Sequence, residues 1–173
     1  MHFSLLVVSD QRPTDETLAK MMAPFNEEVG GENSQWDWYQ IGGRWTGALD
    51  GYNPDEDPAN IEVCSICGGT GKRNDELGQR TRLENPAYTC NGCQGKGKWV
   101  SWPTKWALHD GDRLQVKALS QPPKPTFAFL KDGKWSGKNW SDSDHDVEWD
   151  NKFNALFATL TPDTWITIVD CHT

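Results

Sequence analysis

The sequence has no apolar run long enough to cross a membrane, so we expect a soluble protein. Its first residues, MHFSLLVVSDQRP, predict a strand and not a signal peptide. It has no glycine-rich phosphate loop and no H-E-x-x-H or G-x-S-x-G motif, which argues against the commonest nucleotide-binding, metalloprotease and serine-hydrolase sites. The chain has only five cysteines, and four of them have metal-ligand spacing, which is typical of a reducing compartment. Because no targeting segment is present, we expect the protein in the cytoplasm of a bacterium or an infected host cell.

Charge is unevenly distributed along the chain. The net charge is -8. A length of 173 residues fits one domain with a small insertion, and 36% hydrophobic residues are enough for one core. Residues 64–106 hold seven Lys or Arg against three acidic residues, a net +4 that leaves -12 elsewhere. This basic segment could meet phosphates, but we favour the alternative that its charges only keep a glycine-rich hairpin solvated.

The most specific motif is a repeated pair of cysteines. Residues 64–97 contain C-S-I-C-G-G-T-G and C-N-G-C-Q-G-K-G, two copies of the pattern C-x-x-C-x-G-x-G. Glycines after each pair allow the tight turn that brings both thiolates to one metal, and four cysteines form the closed tetrahedral set of a structural Zn(II) site. Free thiols or two disulfides are the alternative, which the repetition of the whole pattern disfavours. The sequence predicts one structural zinc per chain, with the ligands Cys64, Cys67, Cys90 and Cys93.

These repeats resemble the cysteine-rich region of DnaJ-type chaperones, which carries four copies of the motif and binds two zincs. The resemblance covers only residues 64–97, where two copies imply one zinc. The His-Pro-Asp tripeptide with which J-domains engage their ATPase partner is missing. The resemblance therefore implies the metal site and not a co-chaperone activity.

A second unusual stretch is W-D-W-Y-Q-I-G-G-R-W-T-G, residues 36–47. Strand alternation and the Gly-Gly pair predict a hairpin that closes onto Arg44. Exposed tryptophans could stack on a base while Arg44 holds a phosphate. We favour the alternative of a core hairpin in which Arg44 pairs with Asp37. The candidate contact residues for a ligand or partner are Trp36, Trp38, Tyr39, Arg44 and Trp45.

Hydrophobic patterning predicts the fold class. We expect an α+β body with an antiparallel or mixed sheet, its two terminal strands central and two helices on one face. The body comprises residues 1–62 and 107–173, and the zinc module, residues 63–106, is inserted in it. The expected strands span residues 3–9, 113–119, 127–130 with a hairpin to 135, and 164–171. One helix is expected to begin near residue 14, and the other after the caps offered by residues 141–146.

The opening strand, residues 36–47 and the closing I-V-D-C-H-T also resemble stretches of small uncharacterised proteins of bacteriophages and prophages. Small acidic phage proteins often bind and disable a host factor, including nucleic-acid-guided defence machinery. The resemblance implies this setting, and together with the zinc site it leads us to expect a zinc-stabilised, non-enzymatic binding protein that engages and modulates or inhibits a host protein or complex. The alternative is a nucleotide- or nucleic-acid-binding protein that uses the aromatic hairpin and the basic zinc module.

An acidic contact surface and an enzyme are two further hypotheses. A protein that mimics nucleic acid would present carboxylates to its partner. An enzyme could use Cys171 and His172, but adjacent strand residues point to opposite faces, so we assign no catalytic residue. The candidate acidic contacts are Asp50, Asp55, Glu56, Asp57, Asp142, Asp144 and Asp146.

Overall fold

The computed structural model describes residues 1–138 and 146–173. The chain separates into two units, which we call the sheet unit (Met1–Tyr52 and Ala107–Thr173) and the cysteine unit (Asn53–Trp106). No helix in the described part of the chain is both long enough and apolar enough to cross a membrane. The described residues form strands β1 (His2–Ser9), β2 (Trp38–Ile41), β3 (Ile61–Val63), β4 (Lys98–Val100), β5 (Arg113–Gln115), β6 (Ala128–Lys131), β7 (Lys134–Gly137) and β8 (Trp165–His172), and helices α1 (Asp15–Met22), α2 (Glu76–Glu84) and α3 (Val147–Ala158).

The sheet unit is built around the two terminal strands. Strand β8 pairs antiparallel with β1 along its whole length, and the sheet order is β2-β8-β1-β6-β7. Strand β5 also pairs with β8, beyond the end of β2. The β1–β6 pair is parallel and the others are antiparallel, which confirms the predicted mixed sheet in an α+β fold. Every residue from 3 to 8 of β1 is buried, so the predicted central position of the terminal strands is also confirmed.

The expectation that both helices of the body lie on one face is wrong. Alternate residues of β1 enter two different clusters, because successive side chains of a strand point to opposite faces. Leu5 packs in the same cluster as Leu18 of α1, whereas Leu6 packs in the cluster that holds Phe153 of α3. The two helices therefore cover opposite faces of the sheet.

Local signals explain where the helices begin. Thr14 caps α1 by accepting a hydrogen bond from the backbone N–H of Thr17, at 3.1 Å. Asp146 caps α3 by accepting from the N–H groups of Glu148 and Trp149, both at 3.0 Å. The strand predicted for residues 113–119 is shorter than expected, because the chain leaves β5 in a 3₁₀ turn at Val116–Ala118.

The cysteine unit has its own small sheet. Strands β3 and β4 pair antiparallel and bring together the two ends of the metal-binding segment. Helix α2 was not predicted from the sequence, since its residues lack a regular apolar stripe. Asp75 caps its N-terminus: the carboxylate accepts from the N–H of Gly78 at 3.0 Å and also pairs with Arg73.

Candidate functional site

Four buried thiols lie at the centre of the cysteine unit. The Sγ atoms of Cys64 and Cys90 are 3.8 Å apart, as are those of Cys67 and Cys93, and all four sulfurs lie within 4.8 Å of one another. A disulfide needs a sulfur separation of about 2.05 Å, so the cysteines are free thiols. A tetrahedron with metal–sulfur bonds of about 2.3 Å has edges of about 3.8 Å. The four cysteines can therefore hold one metal ion such as Zn(II).

The two repeats build matching halves of this site. The N–H of Cys64 donates to the carbonyl of Gly97 in the other repeat at 2.9 Å, and the N–H of Cys90 donates to the carbonyl of Gly71 at 2.8 Å. A β-carbon on Gly97 would lie 2.3 Å from the carbonyl oxygen of Gly69, at a φ of +74°. Only glycine fits such an approach at positive φ, which explains the repeated G-x-G.

Ionisation of all four thiols together requires a cation. Burial raises the pKa of Cys64 to about 11. At Cys67 burial acts in the same direction, but N–H groups of Gly71 and Gly69 and the neighbouring thiols outweigh it and lower the pKa to about 7. A divalent metal supplies the positive charge that lets all four buried sulfurs ionise. Four sulfurs also fill a tetrahedral coordination sphere, so the site leaves no position for a substrate.

The aromatic stretch is not a hairpin. Strand β2 pairs with β8, and the chain then turns through a 3₁₀ helix at Gly43–Trp45. Trp36 is buried, donates from Nε1 to the carbonyl of Met22 at 3.2 Å, and shares a core cluster with Tyr39. Trp45 packs against the cluster on the opposite face of the sheet.

Trp38 and Arg44 are the members of the predicted contact set that stay open to solvent. Trp38 is 40% exposed on β2, and the Arg44 side chain is 48% exposed. The core-hairpin interpretation expected Arg44 to pair with Asp37, and this expectation is wrong. Its guanidinium Nε lies 4.0 Å from Oδ2 of Asp170, and its backbone N–H donates to the same oxygen at 3.0 Å. Asp37 contacts His172 instead.

Most of the described acidic candidates already have structural partners. Asp50 pairs with His109 at 2.6 Å and accepts from the N–H of Tyr52. Asp57 caps the 3₁₀ helix at Pro58–Asn60, and Asp146 caps α3. Asp55 and Glu56 are exposed and line a cavity that also contains Lys96 and Lys98. Asp142 and Asp144 lie outside the described residues.

Asp112 fixes the turn that follows β2, and it gives a testable pH dependence. It is fully buried, and its carboxylate accepts from the N–H of Gly47 at 2.9 Å. Burial raises its pKa from 3.8 to about 6. Between these values the folded protein binds a proton that the unfolded chain has released, so the stability that the neutral carboxyl provides is lost as pH rises from about 4 to about 6.

We therefore expect Asp112→Asn to abolish the part of the fall in the free energy of unfolding between about pH 4 and pH 6 that Asp112 causes. A shift of about two pH units corresponds to at most about 3 kcal/mol across this window. Urea unfolding at several pH values measures the difference between the two proteins, and Asp10→Asn, at an exposed aspartate, is the control. Equal pH dependence in the wild type and Asp112→Asn would contradict this assignment.

Comparison of the chain with protein-family models, curated proteins and solved structures finds no match.

Proposed function

We propose that this is a zinc-stabilised binding protein whose cysteine unit engages a protein partner. The observation that carries the proposal is that few of the unit's large apolar side chains are buried inside it. Within the described residues, its one buried cluster consists of the four cysteines, with Trp99 packed against them. The metal thus takes the place of a hydrophobic core, and its closed sulfur shell suits a structural role.

Large apolar side chains of this unit consequently face solvent. Leu83 is 86% exposed and Trp102 is 69% exposed. Exposed aromatic and aliphatic side chains that gather into one patch are typical of protein-binding surfaces. The exposed apolar set of the cysteine unit, which we call the outer apolar set, is Val63, Ile66, Leu77, Leu83 and Trp102.

The charge of the unit also favours a protein over a nucleic acid. Within the bounds of the cysteine unit, Asn53–Trp106, seven Lys or Arg are balanced by seven acidic residues. Arg73 pairs with Asp75, and Lys105 pairs with Glu62 at 2.9 Å. Binding of Zn(II) by four thiolates then adds about two negative charges. A neutral to acidic unit has little long-range attraction for phosphates.

The resemblance of several stretches to phage proteins suggests where such a partner is found, namely among host proteins, including components of nucleic-acid-guided defence complexes. Affinity purification from a bacterial lysate tests this. We expect the wild type to capture a defined protein and the double variant Leu83→Ser, Trp102→Ala to lose it. Val29→Ser, at an equally exposed valine of the sheet unit, is the matched control. Equal capture by both variants would contradict the proposal.

Nucleic-acid binding is the second candidate, and one observation favours it. Lys72, Arg80, Lys96 and Lys98 are exposed and, among the described residues, form no ion pair. The exposed Trp102 could stack on a base. A salt series with single-stranded DNA and RNA separates the two candidates. Steep loss of affinity with rising salt supports nucleic acid, and no binding at low salt removes it.

A further inference from the structure

Three sequence motifs meet at one end of the main sheet. The first residues of β1, the last residues of β8 and the Gly-Gly-Arg turn after β2 are distant in sequence but adjacent in the fold. His2 is the register partner of His172, which is also opposite Trp38. These three side chains lie on one face of the sheet. Further along β8, Ile166 and Ile168 point to the same face and pack in the cluster that holds Phe153 of α3. We call this region the polar end of the sheet.

Asp170 is the centre of the polar end. It is 1% exposed, and its Oδ1 lies 2.8 Å from Nδ1 of His2. Its Oδ2 accepts from the backbone N–H of Arg44 at 3.0 Å. Gly43 packs so closely that a β-carbon there would lie 2.5 Å from Cβ of Asp170. A buried carboxylate is therefore fixed against one nitrogen of a half-buried imidazole.

A second imidazole is held in the same way. Nδ1 of His172 lies 2.8 Å from Oδ1 of Asp37, and this hydrogen bond lowers the pKa of Asp37. The rings of His2 and His172 are 5.0 Å apart and inclined at 69°. With Nδ1 engaged in both rings, each has Nε2 left for a further contact. Nε2 of His172 lies 3.2 Å from the amino group of Met1, a residue that is 71% exposed.

This arrangement suits proton transfer better than anion or metal binding. Each imidazole faces a carboxylate through Nδ1, and two carboxylates beside the rings disfavour a site built to hold a small free anion between them. Among the described residues, the one group whose ligand atoms converge tightly enough for a metal ion is the cysteine cluster, which does not include these side chains. Carboxylates at Nδ1 orient imidazoles and set their tautomer, which is the usual arrangement for general acids and bases.

The remaining groups indicate the substrate class. The Arg44 side chain is 48% exposed and can place a cation on a phosphoryl oxygen. The Trp38 ring, 6.0 Å from that of His2, offers a surface for a base. His2 also lines a cavity of about 310 Å³, together with Trp45 and Lys138. This volume is at the lower end of small-molecule sites and suits one nucleoside.

We propose that the polar end is a metal-independent acid–base site that cleaves short single-stranded RNA. In this reaction Nε2 of His172 takes the proton of a ribose 2′-hydroxyl, in the place now held by the Met1 amino group. The 2′-oxygen forms a bond to phosphorus, the bond from phosphorus to the 5′-oxygen breaks, and Nε2–H of His2 gives that oxygen its proton. The products are a 2′,3′-cyclic phosphate and a 5′-hydroxyl, and proton exchange with water restores both imidazoles.

The chemistry selects RNA because the nucleophile is the substrate's own hydroxyl, which DNA lacks. Short substrates are expected because the net charge of -8 repels a long polyanion. The site lies wholly within the sheet unit, so it is independent of the partner proposed for the cysteine unit.

The test uses the purified, zinc-loaded chain and fluorescent oligoribonucleotides of mixed sequence, without added divalent ions. We expect cleavage to products with cyclic phosphate ends, identified by mass spectrometry, and no cleavage of the matching oligodeoxyribonucleotide. His2→Gln and His172→Gln keep a hydrogen-bonding group but cannot carry the proton. Each is expected to lose about 100-fold or more in rate. His109→Gln is the matched control, since His109 forms another imidazole–carboxylate pair, with Asp50, that shares no residue with this site.

A pH–rate profile adds a readout that misfolding would not produce. The wild type should show a bell-shaped profile, and each glutamine variant should lose one limb of it in its residual activity. The charged groups that face the two imidazoles are Asp170, Asp37, Arg44 and the Met1 amino group, and Lys138, Asp146 and Asp150 line the adjoining cavity. No cleavage by the wild type, or wild-type rates in both glutamine variants, would overturn the proposal. Equal loss in His109→Gln would overturn it as well.

Discussion

Replacing Cys64 by serine is expected to release the metal and unfold the cysteine unit. Cys64 is fully buried, and its sulfur lies 3.8 Å from that of Cys90. A serine hydroxyl is a poor ligand for a soft thiolate site, so the remaining three sulfurs bind Zn(II) far more weakly. Structural zinc in small fingers contributes on the order of 10 kcal/mol, which exceeds the stability of most small domains.

The loss should be complete because the unit has little else to hold it together. Strands β3 and β4 have three residues each, and the buried cluster of the unit, as far as the structure describes it, consists of the cysteines themselves. Elemental analysis should find one zinc per chain in the wild type and close to none in the variant. Limited proteolysis should then cleave within the cysteine unit while the sheet unit stays intact.

Cys171→Ser is the control for this experiment. Cys171 is buried in the core cluster of the sheet unit, and burial raises the pKa of its thiol well above the usual value. Its substitution should leave the zinc content at one per chain. Two metals per wild-type chain, none in folded protein prepared without chelator, or loss of zinc in Cys171→Ser would show that the ligand set is wrong.

The parts of the molecule that could be predicted are those encoded by nearby residues. The four-cysteine cluster follows from the spacing within each C-x-x-C-x-G-x-G repeat, since the turn that joins two thiolates is local. Helix α3 follows from the apolar spacing of Trp149 and Phe153 and from the caps predicted within residues 141–146, of which only Asp146 belongs to the described residues. Continuous apolar runs likewise placed β1 and β8 at the centre of the sheet.

The parts that could not be predicted depend on pairing between distant residues. The Gly-Gly pair after β2 is typical of a hairpin, but the strand that pairs with β2 is β8, more than a hundred residues away. Sequence patterns give no register for such a pair, so the contact between Arg44 and Asp170 was missed. His2 was missed for the same reason. An aspartate within an otherwise apolar strand was the one available signal, because a buried carboxylate needs partners.

This long-range pairing explains the glycines better than a hairpin does. Gly43 has a φ of +55°, in the left-handed region that favours glycine. Its missing side chain also leaves room for Asp170, whose carboxylate can then reach the N–H of Arg44 and the ring of His2. The same glycine therefore sets the backbone of the turn and the position of a buried charge.

Gly43→Ala is accordingly expected to destabilise the sheet unit by roughly 3 kcal/mol or more. A non-glycine residue at this φ costs about 1–2 kcal/mol by itself. The new β-carbon would lie 2.5 Å from Cβ of Asp170, which cannot move without breaking its hydrogen bonds to Arg44 and His2. Urea unfolding followed by tryptophan fluorescence measures the change, and NMR of the imidazole protons reports whether His2 keeps its carboxylate partner.

Gly51→Ala separates backbone strain from the steric conflict. Gly51 belongs to the same unit and has a φ of +83°, but a β-carbon there would meet no atom within 4 Å. It should therefore show only the conformational cost of about 1–2 kcal/mol and leave the His2 signals unchanged. If the two variants lose equal stability and both keep the His2 signals, Gly43 serves only the turn. The close approach of Asp170 would then contribute nothing to holding the polar end together.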